Sequence, residues 1–253
     1  MTDFAQSLLD SGKAEAARPI RCVAKDGLEA ALSRLGEQER AWAEAHRFAG
    51  QSGRTVVLPD PGGGVAGVLF GLGDAGRQVD PFLVGKLASE LPEGAYAFAD
   101  DPPPDPRLAA LGWLLESYRF DRYRAANGAS ARLVSPPDVD RDEVLRVANA
   151  VALVRDLVNA PAGDLGPAEL QAAVEAAGEA CGAEVRTVAG AQLEKDYPMV
   201  AAVGRAAAAH RAPRLIELEW GDRRHPKLAL VGKGVCFDTG GLDIKNSAGM
   251  RLM

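Results

Sequence analysis

"LALVGKGVCFDTGGLDIKNSAGMRLM", Leu228 to Met253, is the stretch on which the reading of this chain turns. Its opening, read with the preceding Lys227 as "KLALVG", is apolar enough for a strand buried on both faces, and it delivers Lys233 between Gly232 and Gly234. Asp238 follows beside Thr239, Gly240 and Gly241, and glycine supplies the positive φ values that a tight ligand-holding loop needs. Lys245 comes next and Met253 closes the sequence. Charges framed by glycine at the exit of a central strand lie where α/β proteins gather their working groups. A plain salt-bridged loop is the competing reading of the same residues.

Upstream, strands and helices alternate. "PIRCVA" (Pro19 to Ala24), "RTVVLP", "GVAGVLFGLG" and "AYAFA" read as strands, and Leu28 to Ala49, Pro81 to Glu90 and Pro106 to Tyr118 as helices. That alternation predicts an α/β domain with a largely parallel sheet. "SPPDVDRDEVLRVANAVALVRDLVNAPAGDLGP" then changes the texture: prolines precede an acidic helix start, and Pro161 and Gly163 follow its end. Val144, Ala148, Val151, Val154 and Val158 are expected to line one face of that helix. A helix from Pro167 to Cys181, a strand "AEVRTV", a helix near Ala191 and the strands "PRLIELEW" and "KLALVG" form a second α/β unit. The expected division is 1–135 for an amino-terminal α/β domain, 136–160 for a connector helix and 161–253 for a second domain.

Composition narrows the function classes. The 253 residues carry 35 acidic against 29 basic side chains, so no overall field draws nucleic acid or an anionic membrane. "MTDFAQSLLDSGKAEAARPI" has no sustained apolar core and is not a secretory signal, no run elsewhere is long enough to span a bilayer, and a cytoplasmic location is the expectation. Cys22, Cys181 and Cys236 are odd in number and far apart, which argues for reduced core cysteines. The three histidines, His46, His210 and His225, include no helical metal-ligand pair, so any metal must use other donors.

Two further motifs compete for attention. "GLGDAG", Gly71 to Gly76, matches a dinucleotide fingerprint, but "RQVDP" separates it from the next helix, and a Gly-rich turn is the better reading. "SYRFDRYR", Ser117 to Arg124, interleaves aromatics with arginines in a way that could stack bases. In an acidic chain a packing or interface role suits it better.

"VGKGVCFDTGGLDIKNSAGMRLM" closely resembles the signature region of the leucyl aminopeptidase family, two-metal cytosolic exopeptidases. "GWLLESYRFDRYR", "VRDLVNAPAGDLGPAEL", "YPMVAAVGRAAA" and "APRLIELEW" resemble that family in the same order. The resemblance implies a small α/β domain joined by a helix to the first part of an α/β metallopeptidase catalytic domain. It implies that Lys233 and Asp238 ligate two divalent ions, zinc or manganese. It also implies that Lys245 points at the substrate carbonyl and that Met253 lines the pocket for the first side chain. The expected activity is release of apolar, leucine-like amino-terminal residues from peptides, by a homohexamer. Asn246 and Gly163 depart from the family's usual residues, neither at a ligand position. The family's remaining ligands, an aspartate just beyond the position of Met253 and a later Asp, Glu and Arg cluster, have no counterpart here. The chain is therefore expected to end inside the catalytic domain and to be inactive by itself. The rival from another class is a noncatalytic assembly or nucleic-acid-binding protein that keeps the peptidase fold.

Overall fold

The computed structural model describes residues 4–12, 17–74, 79–99, 102–125, 131–251 and 253. The chain divides into two compact units, Met1–Asp156 and Leu157–Met253.

The first unit is built on a six-stranded sheet. Its strands are β1 (Leu8–Leu9), β2 (Arg18–Ala24), β3 (Thr55–Pro59), β4 (Val65–Gly73), β5 (Gly94–Phe98) and β6 (Ala131–Val134), in the spatial order β1-β6-β5-β2-β4-β3. Every pairing is parallel except β3 with β4, which form an antiparallel edge. Residues of period two divide the apolar side chains between the faces. Ile20, Cys22, Val68 and Phe70 go to one core, and Val23, Val56, Leu58 and Leu69 to the other.

Helices cover both faces, as parallel sheets require. On one side lie α1 (Leu28–Ser33) and α2 (Glu37–Ala45), contributing Ala31, Leu32 and Ala43. The sequence predicts a single helix there, but Gly36 is extended (φ −63°, ψ 159°) and restarts the chain as the cap of α2. On the other side lie a 3-10 turn (Leu83–Lys86) running into α3 (Leu87–Glu90), α4 (Pro106–Ser117) and α5 (Arg141–Asn159). Asp105 caps α4 by accepting from the Leu108 N–H at 2.9 Å, with Pro106 in the first turn. Trp113, Tyr96 and Phe70 are fully buried in this larger core, each a side chain whose burial is worth about 1.5–3 kcal/mol.

α5 matches its expected span, but its buried face is different. Val144, Ala148 and Ala152 are buried, whereas Val154 and Val158 are 59% and 76% exposed. The i, i+4, i+8 row faces the sheet, and the alanines let the helix lie close to it. Arg141 fastens the start of α5 to the amino-terminal segment, its guanidinium donating to the Leu8 and Ala5 carbonyls at 2.9 and 3.1 Å.

The second unit contains α6 (Pro167–Cys181), β7 (Glu184–Ala189), α7 (Gly190–Asp196), α8 (Pro198–Val203), β8 (Arg214–Glu219) and a short α9 (Ser247–Met250). β7 and β8 form an antiparallel pair with α6 packed on it. Gly178 makes the close approach possible: a Cβ there would lie 2.4 Å from Val185 Cγ2.

The strand expected from Lys227 to Gly232 is not formed. Leu228, Leu230 and Val231 are 83, 89 and 98% exposed, and the segment pairs with nothing among the described residues. Apolarity alone does not make a strand, because a strand's N–H and C=O groups need a neighbouring strand to answer them. The placement of Lys233 at the end of a buried central strand is corrected accordingly. The cysteine reading is also corrected: none of the three is in a disulfide among the described residues, as expected, but only Cys22 is buried.

Candidate active site

The residues singled out in the terminal stretch form a loop with an internal structure of its own. Gly240 and Gly241 have φ of 95° and 64°, values that an L side chain adopts only with strain. A Cβ on Gly240 would also lie 2.0 Å from the Asp243 carbonyl oxygen. The tight turn lets the Gly240 N–H donate to Asp238 Oδ1 at 2.8 Å and the Lys245 N–H donate to the Thr239 carbonyl at 2.9 Å. Asn246 then caps α9, its side chain accepting from the Gly249 N–H at 2.8 Å, which gives this departure from the family pattern a local structural task.

Three of the four candidate residues meet. Lys245 Nζ donates to Asp238 Oδ2 at 2.7 Å and to the Asp238 carbonyl at 3.2 Å, and lies 3.2 Å from the Met253 sulfur. The Asp238 carboxyl is held below the usual carboxylate range. The Lys245 hydrogen bond is the largest cause, then the Gly240 N–H, with the charges of Lys245 and Lys233 adding to it. Lys233 is exposed and forms no ion pair with Asp238; its influence there is through space.

Asp238 and Lys233 are two donors, and the Asp238 carboxylate is already matched by an ammonium. Among the described residues no three His, Cys, Asp or Glu side chains converge on a point that could hold a metal ion. A site for two divalent ions needs several hard oxygen or nitrogen donors. The donors this chain brings together do not make up such a site by themselves.

Beside the loop stands a cluster that the sequence reading did not find. Glu169 accepts from the Gly166 N–H at 2.8 Å, closing a capping box at the start of α6, and the same oxygen accepts from Arg211 Nη1 at 2.9 Å. Hydrogen bonds from the Gly166 and Glu169 backbone N–H groups hold the Glu169 carboxyl below its ordinary range, and the charges of Arg211 and His210 add to the effect. Arg211 Nη2 reaches the Gly163 carbonyl. The capping half was legible in "GPAEL"; the arginine was not, because its partners are distant in sequence.

The other motifs resolve into packing. Gly71 and Gly73 belong to β4, and a Cβ on Gly71 would lie 2.0 Å from the Gln51 carbonyl oxygen, so the glycine serves a backbone approach. Asp74 pairs with Lys25 at 2.8 Å, and Ala75 and Gly76 of "GLGDAG" fall outside the described residues. In "SYRFDRYR", Tyr118 donates to Asp156 at 2.8 Å with Arg155 stacked 5.3 Å from its ring centre, and Phe120 packs edge-on to Tyr123 at 5.8 Å.

Comparison with known proteins bears on the whole chain. The family model described as "Cytosol aminopeptidase family, catalytic domain" matches residues 152–253, and that of the "M17 aminopeptidase, N-terminal domain" matches residues 18–136. The chain belongs to the cytosol aminopeptidase family. A probable cytosol aminopeptidase of Sinorhizobium fredii is 33% identical over 239 residues, 83% of this chain and 48% of that protein. One from Rhodococcus jostii is 36% identical over 165 residues, 57% of this chain and 32% of its own length. The crystal structure of the Coxiella burnetii cytosol aminopeptidase superposes with a TM-score of 0.84 at 37% identity, covering 94% of this chain and 51% of that one. The bottromycin maturation enzyme BotP, in complex with Mn, superposes with a TM-score of 0.71 at 27% identity, covering 93% and 52%. This cytosol aminopeptidase chain thus spans at most about half the length of these relatives. No helix among its described residues is long and apolar enough to cross a membrane.

Proposed function

We propose that this chain supplies the amino-terminal domain and the first part of the catalytic domain of a metal-dependent aminopeptidase that removes apolar, leucine-like residues from the free amino termini of peptides. The observation that carries this reading is the meeting of Asp238, Lys245 and Met253 inside the segment matched by the family's catalytic domain. In that reading Lys233 and Asp238 are metal ligands, and the ions, zinc or manganese, require further carboxylates from outside the set this chain brings together. The Mn complex of BotP supports a divalent cofactor.

Lys245 donates a hydrogen bond to the oxygen of the scissile carbonyl as negative charge develops on it, an interaction strongest in the transition state. Met253 offers a soft apolar wall to the first side chain of the peptide. We assign residues 1–135 to the amino-terminal domain, 136–160 to the connector and 161–253 to the catalytic portion; the family-model match to residues 18–136 supports the first boundary, while the compact units divide within the connector helix, after Asp156. A cytoplasmic homohexamer acting on peptides, with no nucleic-acid role, completes the proposal. The names of the relatives support the location.

The test is hydrolysis by the product of the whole reading frame that encodes this sequence. Leucine amide should be cleaved faster than aspartate amide, chelation should abolish turnover, and zinc or manganese should restore it. No turnover of any amino-acid amide by metal-loaded protein would overturn the proposal.

A further inference from the structure

The loop that carries Lys233 and Asp238 has a seat, and the groups that build it come from elsewhere in the second unit. Gly234 lies against α6: a Cβ there would be 3.0 Å from Leu170 Cδ2. Two residues on, the Cys236 thiol is turned back toward the Gly234 carbonyl at 3.7 Å. The bend that begins at Gly234 therefore rests on the first turn of α6, where Leu170 follows Glu169.

Arg211 ties this seat together. Its half-buried guanidinium spans Glu169 in the first turn of α6 and the Gly163 carbonyl in the loop before it. That is a two-pronged contact which a planar fork makes and a single ammonium does not. Gly166 is shaped to admit it, since a Cβ at that position would fall 1.9 Å from Arg211 Nη1. A second arginine backs the first: Arg214 Nη1 donates to Gln171 Oε1 at 2.7 Å, two residues further along α6.

We propose that Arg211 is a positioning residue for the Lys233 to Asp238 loop, acting through Glu169 and the seat of the Gly234 to Cys236 bend. It touches neither substrate nor reacting atoms. It fixes where Lys233 and Asp238 stand relative to α6. The inference rests on the aminopeptidase reading for its purpose, and on geometry alone for its mechanism.

The test separates the two. A protease that cuts only after lysine can cleave at Lys227 and Lys233, both exposed, and at Lys195 on α7. To cut after Lys233 it must draw the Gly234 to Cys236 bend out of its seat, whereas Lys227 lies outside the seat and serves as reference. Arg211→Ala and Gly166→Ala should each raise cleavage at Lys233 relative to Lys227 several-fold, with Lys195 unchanged. An unchanged ratio in both variants overturns the proposal. So does an equal rise at all three lysines, which would make Arg211 a general support of the fold. This readout needs neither metal nor substrate, so it can fail while the aminopeptidase reading stands. In the aminopeptidase assay, Arg211→Ala should lower kcat about tenfold, the scale expected when a group supporting a ligand is removed, with KM little changed. A kcat equal to that of the unaltered enzyme overturns the positioning role, and absence of turnover by the unaltered enzyme overturns the aminopeptidase reading and leaves the proteolysis result standing.

Discussion

Lys245 Nζ lies 2.7 Å from Asp238 Oδ2 across the Gly240–Gly241 turn. The pairing puts the two groups with the most chemical potential in the loop into direct contact, where each neutralises the other. It also fixes the distance over which a substrate carbonyl could compete for the ammonium. Whatever uses Lys245 must offer it an oxygen at least as negative as the one it now holds.

That requirement leads to a prediction about turnover. A carbonyl oxygen becomes such an acceptor only as the tetrahedral intermediate forms, so in the proposed aminopeptidase Lys245 should contribute to kcat rather than to substrate binding. In the product of the whole reading frame that encodes this sequence, Lys245→Ala should lower kcat by roughly 10² to 10³, the scale seen when one oxyanion donor is lost. Metal content, measured by atomic absorption, should remain close to that of the unaltered enzyme. Comparable loss of metal would place Lys245 among the ligands instead.

A second prediction concerns the first unit. Gly71 sits in β4 against the backbone of Gln51, and its N–H donates to the Arg54 carbonyl at 2.8 Å. Gly71→Val forces β4 and the loop at 50–53 apart and should destabilise the unit by about 1–3 kcal/mol, the usual scale of overpacking. Urea denaturation followed by tryptophan fluorescence measures this, because Trp113 is fully buried in the core that β4 helps to form. A midpoint equal to that of the unaltered protein would contradict it.

Most of the fold was legible where local signals agreed. α5 and α6 fall on their expected residues because proline, acidic first-turn residues and helical apolar spacing all mark the same ends. β6 was missed because "ARLV" is short and carries no turn signal that marks it out. "KLALVG" misled for the opposite reason: its apolarity states a need for neighbours, and pairing is a property of the other strands. In the candidate site, Asp238 and Lys245 were found together because a Gly-Gly turn makes their approach a local matter. Arg211 was invisible because a guanidinium's partners are chosen by tertiary structure. Val154 and Val158 failed as core residues because a valine on a helix carries no label for which side the sheet occupies.

A third prediction follows from Glu169. Its carboxyl is held below the usual glutamate value of about 4.3 chiefly by hydrogen bonds from the backbone at the start of α6. The ionised form is therefore favoured by the folded state. Its contribution to stability is fully present above the unfolded value and is lost as pH falls through the lower, folded one. Between pH 5 and 3 the second unit should weaken more steeply in the unaltered protein than in Glu169→Gln, which retains an acceptor for Gly166 but does not titrate. Thermal melts at successive pH values, followed by helical circular dichroism, give the two slopes. Parallel slopes would show that Glu169 is not linked to folding in this way.

The last prediction concerns the 253-residue chain assayed by itself, and it follows from counting donors. Lys233 and Asp238 are the two candidate ligands, and among the described residues no group of three or more acidic, histidine or cysteine side chains is placed to hold a metal ion. A lysine amine ligates only when neutral, and with an ordinary value of about 10.4 it stays protonated near neutral pH unless a bound cation displaces the proton. That circle does not close with one carboxylate, particularly one already paired to Lys245 at 2.7 Å. The purified 253-residue chain, given zinc or manganese, should therefore release no leucine from leucine amide above the buffer control, and calorimetric titration with either ion should show no tight site. Chelator-sensitive turnover by this chain alone would mean that two ions can be held by fewer protein donors than their coordination chemistry demands, and the donor-counting argument would fail with it.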